Sequence, residues 1–569
     1  MGFLKQNAPS VDYDSWSQGT RAEKIRPMAR HWAEVGFGTP VILHLFYVAK
    51  VAAYILGGWL VVLTSDGVDG FFDVQQWYAE PIVFQKVVLY TMLYEVVGLG
   101  CGFGPLNNRF KPPMGSILYW TRPETIRLPP WPKRVPLTSG DTRTWLDVLL
   151  YVALLAALTT AILSGGTAAG LLPMWQIWAV LGLLALVGLR DKVIFLAARG
   201  EVYGSLTVAC LFASVSTTDM ILAAKLVCLV IWIGAATSKL TRHFPFVIST
   251  MMSNNPVLRP KWLKRRFFAD FPDDLRPGWP SRLLAHTSTA IEGLVPLVMF
   301  FAHGSQAALV AAVVMLCFHF GILSSIPMGV PLEWNVFMMF SVVALFIGHP
   351  AVGLEDMASP LPVLLAALLI GIVTLGNLFP RRISFLPGMR YYAGNWDTGL
   401  WCMKPSAAAK IEQNIVSIAS MPQAQMQKFF GSPQVAEMYQ YMGYAFRGFN
   451  SHGRAMFALA HRAMAGHDES DYVLTDGERI CSTAVGWNFG DGHMHNEQLI
   501  EALQRRCHFE PGEVRVVLID AQPIHRQRQE YRLVDAATGE FERGHVRVAD
   551  LVNRQPWDDT APAYVESPA

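Results

Sequence analysis

The sequence is poor in charged residues, and its cysteines are widely spaced. Charged side chains make up 16% of its 569 residues, against roughly 25% in soluble domains, which disfavours a purely soluble protein. The seven cysteines form no C-x-x-C pair, which excludes a zinc ribbon and a disulfide framework. Basic residues exceed acidic ones by only two, too few for a nucleic-acid binder. No internal repeat is visible, which disfavours solenoids and repeat-built transporters.

Long apolar runs are abundant before residue 380. Hydrophobic side chains make up 52% of the chain, and the mean hydropathy is +0.29. The segment before the first apolar run mixes acidic and basic residues, unlike a cleavable signal peptide. A helix needs about 20 mostly apolar residues to cross a bilayer. The sequence therefore predicts a polytopic bundle of about ten spans, at 39–63, 82–103, 145–164, 169–189, 202–218, 220–238, 283–303, 306–326, 332–349 and 361–379.

Lysine and arginine collect in alternate loops between these spans. Loops 64–81 and 350–360 contain acidic residues and no basic one, whereas loop 239–282 contains nine basic residues. Because cytoplasmic loops are enriched in Lys and Arg, this alternation predicts a multi-pass protein of the plasma or inner membrane. Both of its termini are then cytoplasmic.

The composition changes after residue 380, where no further apolar run is long enough to span. We divide the chain into an N-terminal segment (1–38), a transmembrane domain (39–380), a small cytoplasmic α+β domain (381–557) and a tail (558–569). Apolar periodicity and turn residues predict the elements of the α+β domain. These are helices within 405–420, 434–465 and 495–507, strands at 479–487 and 513–521, and a hairpin of 529–535 with 542–549.

Several ionisable residues lie inside the predicted spans. Placing one at the bilayer centre costs about 2.5–3.5 kcal/mol on insertion scales, so each suggests either a functional group or a structural ion pair. Lys50, Glu95 and Lys225 fall within spans at mid-membrane positions. A charge path through these three would be the basis of a small-molecule or lipid translocator.

A second group of polar residues lies at the ends of four consecutive spans. Lys239 follows the sixth span, Glu292 lies in the seventh, His319 lies in the eighth, and Glu333 opens the ninth. A partly desolvated amine loses its proton more readily and can act as a base, and a nearby His and Glu can orient a substrate or move the proton. The alternative for Lys239 is an interfacial anchor whose ammonium group reaches the headgroups.

The segment Gly234-Ala-Ala-Thr-Ser-Lys239-Leu240 resembles the Gly-Val-Lys-Lys-Leu stretch of vitamin K-dependent gamma-carboxylases and the related horizontally transferred transmembrane (HTTM) proteins. Glu292-Gly293 and Phe318-His319 are similar to further motifs of that family. The resemblance covers about 190–350. It implies that Lys239 is the base that deprotonates a quinol, so an isoprenoid quinol is the implied ligand.

Two departures from this family limit the comparison. Ser238 replaces the first lysine of the pair, and the charge pattern places the C-terminal domain in the cytoplasm. Gamma-carboxylation of a secreted protein is therefore not expected. As a whole, the chain also resembles actinobacterial integral membrane proteins without assigned activity.

The segment 486–497 combines glycines with metal-donor side chains. Asp491, His493 and His495 have donor types that suit Zn or Fe, and the ligand shell would be completed from His452, His461 or His467. The alternative is a tight turn through Gly490 and Gly492 in which Asp491 or Asn496 caps the following helix.

A basic stretch with interleaved aromatic residues follows the sixth span. Its cations are Lys261, Lys264, Arg265 and Arg266, and Trp262, Phe267 and Phe268 accompany them. Such a composition suits anionic lipid headgroups, either for substrate capture or as an interfacial anchor.

The sequence thus favours an integral membrane protein that acts on a quinol- or lipid-like substrate at the cytoplasmic membrane face. Lys239 is the predicted base, with His319 and Glu292 as its partners. The alternatives are a translocator and a non-catalytic membrane scaffold or assembly factor. The expected partners are membrane lipids and, for the scaffold, a protein bound by the cytoplasmic domain.

Overall fold

Six helices in the structure are long and apolar enough to cross a membrane. The structure is a computed structural model that describes residues 2–68, 70–101, 115–325, 332–383, 387–487, 494 and 496–566. The six helices among these residues are α3 (Val41–Val62), α7 (Trp145–Leu163), α11 (Thr217–Ser238), α14 (Trp279–Phe301), α15 (Gln306–Leu323) and α17 (Leu361–Leu378). The predicted helical bundle is confirmed, whereas the count of ten spans is not.

The other predicted spans correspond to shorter or broken elements. Three of them are α5 (Pro81–Val96), α8 (Met174–Arg190) and α16 (Leu332–Ser341), which continues as a π-helix to Ile347. Span 202–218 is replaced by α9 (Lys192–Ala197), a π-helix (Gly200–Gly204), α10 (Ser205–Leu211) and a 3-10 turn at Phe212–Ser214.

Helix α11 is the central element of the bundle. It begins where the Ser216 hydroxyl accepts the Thr218 N–H, and it ends at Lys239. Within its most apolar window 83% of the residues are buried, against 39% or less in the other five long helices. A helix that is apolar on all sides is expected in the interior, and α11 packs against α10, α14 and α17.

Short elements lie outside the apolar bundle. A two-stranded antiparallel hairpin, β1 (Phe268–Asp270) and β2 (Asp274–Pro277), precedes α14. The remaining short helices before residue 380 are α1 (Tyr13–Ser17), α2 (Arg21–Val35), α4 (Val74–Trp77), α6 (Gly115–Trp120), α12 (Phe244–Asn254) and α13 (Lys261–Arg265).

The region after residue 387 is built on an antiparallel six-stranded sheet with the order β4-β3-β5-β6-β7-β8. Its strands are β3 (Thr398–Met403), β4 (Val473–Asp476), β5 (Val514–Ile519), β6 (Arg528–Asp535), β7 (Gly539–Arg547) and β8 (Tyr564–Glu566). The helices of this region are α18 (Pro387–Tyr392), α19 (Pro405–Asn414), α20 (Pro422–Phe430), α21 (Pro433–Phe449), α22 (Gly453–Ala463), α23 (Gly477–Val485), α24 (Glu497–Cys507) and α25 (Val548–Val552).

The strand predicted at 479–487 is wrong, because this segment forms helix α23. The Asp476 side chain accepts the Glu478 N–H at the start of the helix, and Gly486 ends it with a φ of 86°. The β-branched residues of this segment favour a strand, but the two caps and a buried helical face outweigh that preference. The predicted hairpin is confirmed as β6 and β7, and helix 495–507 is confirmed as α24.

The N-terminal helices pack on the C-terminal sheet region. One sheet face, which includes Leu400 and Cys402, shares a hydrophobic core with Trp32 of α2 and Phe449 of α21. The Trp32 and Phe449 rings lie 5.1 Å apart. The first and last parts of the chain therefore form one core on the same side of the apolar bundle.

His243 joins the bundle to the C-terminal region. It lies between α11 and α12 and is fully buried. Its Nε2 lies 2.7 Å from Gln522 Oε1, and its Nδ1 contacts the Ser451 hydroxyl. Because the Gln522 oxygen can only accept, Nε2 carries the proton and Nδ1 accepts from Ser451. Burial lowers the pKa of His243 to about 4, although the hydrogen bond to Gln522 opposes this shift.

We expect His243 to make the protein less stable in acid. The folded protein keeps this imidazole neutral, whereas the unfolded chain protonates it below its ordinary pKa of about 6.5. His243 therefore does not reduce the free energy of unfolding above pH ~6.5. As the pH falls from there toward ~4, we expect the free energy of unfolding to decrease by about 3 kcal/mol in all. Thermal unfolding of wild type and His243→Gln across this range measures the difference. Equal losses in both proteins would contradict the assignment.

Candidate functional site

The three predicted catalytic residues line one cavity. Lys239, Glu292 and His319 come from three different elements and face a space of about 150 Å³. Its walls are formed by α11, α12, α14, α15, α16, α18 and the π-helix at Gly200–Gly204. The structure therefore brings together residues that are 80 positions apart in sequence.

Lys239 and Glu292 form a buried ion pair in this cavity. Their Nζ and Oε2 atoms are in direct contact, and each side chain is 7% exposed. The ammonium also lies 5.1 Å from the centre of the Phe244 ring. An interfacial anchor would extend its ammonium to the headgroups, whereas this ammonium points into the protein. A buried pair of this kind requires both partners, because a single remaining charge would be uncompensated.

His319 is held between two neighbours as a neutral imidazole. The Trp232 indole donates to Nε2 over 2.9 Å, and Nδ1 lies 3.0 Å from Asn335 Oδ1. Since Nε2 accepts, the proton is on Nδ1 and is donated to Asn335. Both ring nitrogens are thereby occupied. This arrangement fixes the ring against the cavity.

Apolar side chains form most of the remaining cavity wall. Ile231, Trp232, Ala235 and Lys239 share one face of α11 because of their helical spacing. Met389 and Tyr392 of α18, the first helix after the last long span, cover another side. A cavity with few polar groups among apolar walls is typical of sites for small organic ligands.

A second pair of charged residues, Arg199 and Glu201, lines the same cavity. Arg199 has a φ of 52°, an unusual left-handed conformation for a side-chain-bearing residue, and the π-helix starts directly after it. Single-turn π-helices occur frequently at functional sites. Sequence reasoning missed these residues as site candidates. The signal was present, because a charged pair interrupts an otherwise apolar run at 193–216.

The charges of the translocator hypothesis do not form one path. Lys225 donates to the carbonyl oxygens of His349 and Val352, each at 2.8 Å. It lies 14 residues from Lys239, or about 21 Å along α11. Lys50 donates to the carbonyl of Gly100 at 2.7 Å, on the side of the bundle where Glu95 lies. Lys225 therefore stabilises a loop at the opposite end of α11.

The predicted basic stretch is only partly at the surface. Glu34 of α2 pairs with Lys261 at 3.0 Å and also with Arg265, so these two cations share one carboxylate. Lys264 is buried and donates to the carbonyl of Ser253, and burial lowers its pKa to about 8. Lys264 is thus not available to a lipid headgroup. Arg266 lies against the Trp262 ring at 5.5 Å.

The predicted metal ligands Asp491, His493 and His495 lie outside the described residues. Within the described residues, no group of three or more His, Cys, Asp or Glu side chains is arranged to hold a metal ion. The three proposed additional ligands are dispersed. His452 is buried against the Trp396 ring, His461 pairs with Glu469, and His467 lies near Tyr472.

Removing one partner of the Lys239–Glu292 pair should destabilise the protein strongly. Lys239→Met leaves a buried carboxylate without its cation, and we expect a loss of about 3 kcal/mol. Adding Glu292→Gln should recover most of that loss, because neither charge then remains. Combining Lys225→Met with Glu292→Gln is the matched control, since these two residues are far apart and their effects should add. Thermal unfolding of the purified variants measures the coupling, and additive effects at Lys239 and Glu292 would contradict the pairing.

Comparison with known proteins places the chain in one family. No curated protein and no solved structure matches it. A family described as a transmembrane protein of unknown function (DUF3556) matches residues 1–566. A match of that extent, together with the six apolar helices, shows that the chain is a transmembrane protein belonging to the DUF3556 family.

Proposed function

We propose that this protein binds a quinol- or lipid-like molecule in the cavity and that the Lys239–Glu292 pair exchanges a proton with it. The observation that carries the proposal is the buried ion pair itself. Its two charges face an apolar space rather than solvent. Buried charge is costly, so an ion pair that faces a cavity inside the membrane domain suggests a functional site.

The pair contains the groups needed for proton abstraction. Transfer of a proton from the Lys239 ammonium to the Glu292 carboxylate leaves a neutral amine and a neutral acid. The amine can then accept a proton from an acidic hydroxyl of the ligand, which becomes an oxyanion beside the newly formed ammonium. A low-polarity site strengthens that final attraction. This scheme agrees with the role that the carboxylase resemblance implies for Lys239.

The cavity matches an aromatic ring in size. An apolar protein cavity of roughly 150 Å³ can bind benzene, and the present cavity has a similar volume. Ser288 of α14 and Ile322 of α15 line it and are only half-buried. Neighbouring Leu294 and Phe320 are exposed, as expected of side chains that face lipid. An apolar tail can therefore extend between α14 and α15 while the ring occupies the cavity.

We further propose ten crossings, with both termini in the cytoplasm. The N-terminal helices share a core with the C-terminal region, which requires an even number of crossings. Contacts between loops support the proposal that the chain also crosses the membrane at each of the shorter elements. On the side opposite the C-terminal region, backbone or side-chain bonds join Asp66 to Gly165, Ala79 to His349 and Asp219 to Ala358. The basic loops lie on the other side, as expected for cytoplasmic loops.

The ligand can be tested by mass spectrometry of organic molecules that copurify with the full-length protein. We expect a near-stoichiometric ring-bearing or lipid molecule in wild type. Ala235→Phe fills the cavity without altering its charges and should reduce that molecule about tenfold, since one disrupted pocket contact is worth about 1–3 kcal/mol. Ala367→Phe, on the exposed face of α17, is the matched control and should retain it.

Two outcomes would overturn the proposed site. One is the recovery of only bulk phospholipid from every variant. The other is a specific molecule that Ala235→Phe retains, because such a molecule would bind elsewhere. A third outcome concerns the uncharged double variant Lys239→Met/Glu292→Gln. If this variant retains the molecule in the same protonation state as wild type, Lys239 is not its base, although the cavity is still its binding site.

The membrane orientation can be tested separately with an impermeant thiol reagent. Ala168→Cys lies in the exposed loop between α7 and α8, and Thr538→Cys lies in the exposed turn between β6 and β7. We expect labelling of Ala168→Cys in intact cells and labelling of Thr538→Cys only after lysis. The reverse pattern would invert the orientation, and labelling of both in intact cells would exclude a cytoplasmic C-terminal region.

A further inference from the structure

A second cluster of buried charged residues lies next to the cavity. It takes no part in the proton transfer proposed for Lys239 and Glu292. Its centre is a pair of carboxyl groups from two different helices, Glu95 of α5 and Glu333 of α16. Both residues are almost completely buried. A Cβ atom at Gly100 would collide with Glu95 Oε2 and would lie 2.9 Å from Glu333 Oε1. The two carboxyl groups therefore flank the same point of the backbone.

Among the described residues, Glu333 has a hydrogen-bond donor, whereas Glu95 has none. Both Glu333 oxygens accept from the Cys101 N–H at 3.0 Å. In the described part of the chain, neither Glu95 oxygen has a protein donor within hydrogen-bonding distance. Glu95 Oε2 and Glu333 Oε1 both lie beside the same point at Gly100, so the two carboxyl groups are close neighbours. Two buried carboxylates this close together repel each other, and retention of one proton relieves the repulsion.

The surrounding charges agree with one retained proton. Among the residues that the structure describes, Lys50 and Arg199 supply two positive charges, and Glu333 and Glu201 supply two negative charges. With Glu95 protonated, the cluster is neutral; with Glu95 ionised, it carries a net negative charge in a buried site. The other described titratable groups that interact with the pair are tyrosines and one cysteine, which are neutral at pH 7. They are Tyr54, Tyr94, Cys101, Tyr203 and Tyr392.

Arg199 connects this pair to the cavity. Its Nε atom lies 3.9 Å from Glu95 Oε1, and Arg199 and Glu201 both line the cavity. A charge that enters the cavity beside these two residues changes the potential at Glu95 directly. A metal ion between the carboxylates is disfavoured, since Lys50 and Arg199 repel a cation at that position.

We propose that Glu95 and Glu333 share a single proton and that the charge at Arg199 and Glu201 in the cavity determines whether the pair keeps it. The carboxyl pair is thus a second protonation site, distinct from the Lys239–Glu292 pair. Added positive charge at the cavity wall releases the proton, and added negative charge retains it. Binding of a charged ligand is thereby coupled to proton uptake or release, whichever molecule the cavity holds.

Infrared difference spectroscopy of the purified full-length protein at pH 7 tests the shared proton. The difference spectrum of wild type minus Glu95→Gln should contain the C=O stretching band of one protonated carboxyl group. Glu333→Gln should lose the same band, because Glu95 then ionises beside Arg199. The amide introduced by Glu95→Gln can donate a hydrogen bond to Glu333, so we expect this variant to fold. Glu333→Gln is an independent test of the same band. Glu355→Gln, at an exposed position, is the control and should retain the band.

Glu201→Gln tests the coupling to the cavity. This variant removes a negative charge from the cavity wall while both carboxyl groups of the pair remain. We expect the protonated-carboxyl band to be lost, because ionisation of Glu95 restores neutrality. A band that persists at full intensity in Glu201→Gln would overturn the coupling. A band absent from wild type, or unchanged in both Glu95→Gln and Glu333→Gln, would overturn the shared proton, whatever molecule occupies the cavity.

Discussion

The requirement that buried charge be neutralised determines how the bundle is assembled. Helix α11 is surrounded by protein along most of its length, yet it carries Lys225 and ends at Lys239. Neither ammonium reaches water, so one binds two backbone carbonyls and the other binds Glu292. These partners come from the loop before α17 and from α14. The positions of those elements around α11 are therefore tied to two charges as well as to apolar packing.

The parts of the fold that depend on local sequence could be predicted. Long apolar helices and the β6–β7 hairpin follow from hydrophobicity and turn residues, and they were identified correctly. Strand β3 was missed although it lies between β4 and β5 in the sheet. It is buried on both faces along its whole length, so its short apolar run lacks the alternation that marks a half-exposed strand. Segment 479–487 was misassigned as a strand because the caps of helix α23 outweigh its β-branched residues.

The candidate site was predictable to the extent that it contains charge in apolar segments. Lys239, Glu292 and His319 were singled out for that reason, and all three line the cavity. Arg199 and Glu201 were missed as site residues, since their positions depend on a left-handed residue and a π-helix that the sequence does not reveal. The burial of Lys264 was also unpredictable, because it depends on the docking of α13 beside α2 and α12. Such outcomes require the tertiary arrangement.

The shared core of the N-terminal helices and the C-terminal region has a consequence for biosynthesis. Helix α2 leaves the ribosome early, whereas its packing partner α21 follows after all of the spans. At usual translation rates this interval is on the order of tens of seconds. During that time Trp32 and its apolar neighbours have no partner surface, and the bundle must insert before the core can close. This core can therefore be complete only after the whole chain has been synthesised and the bundle has been inserted.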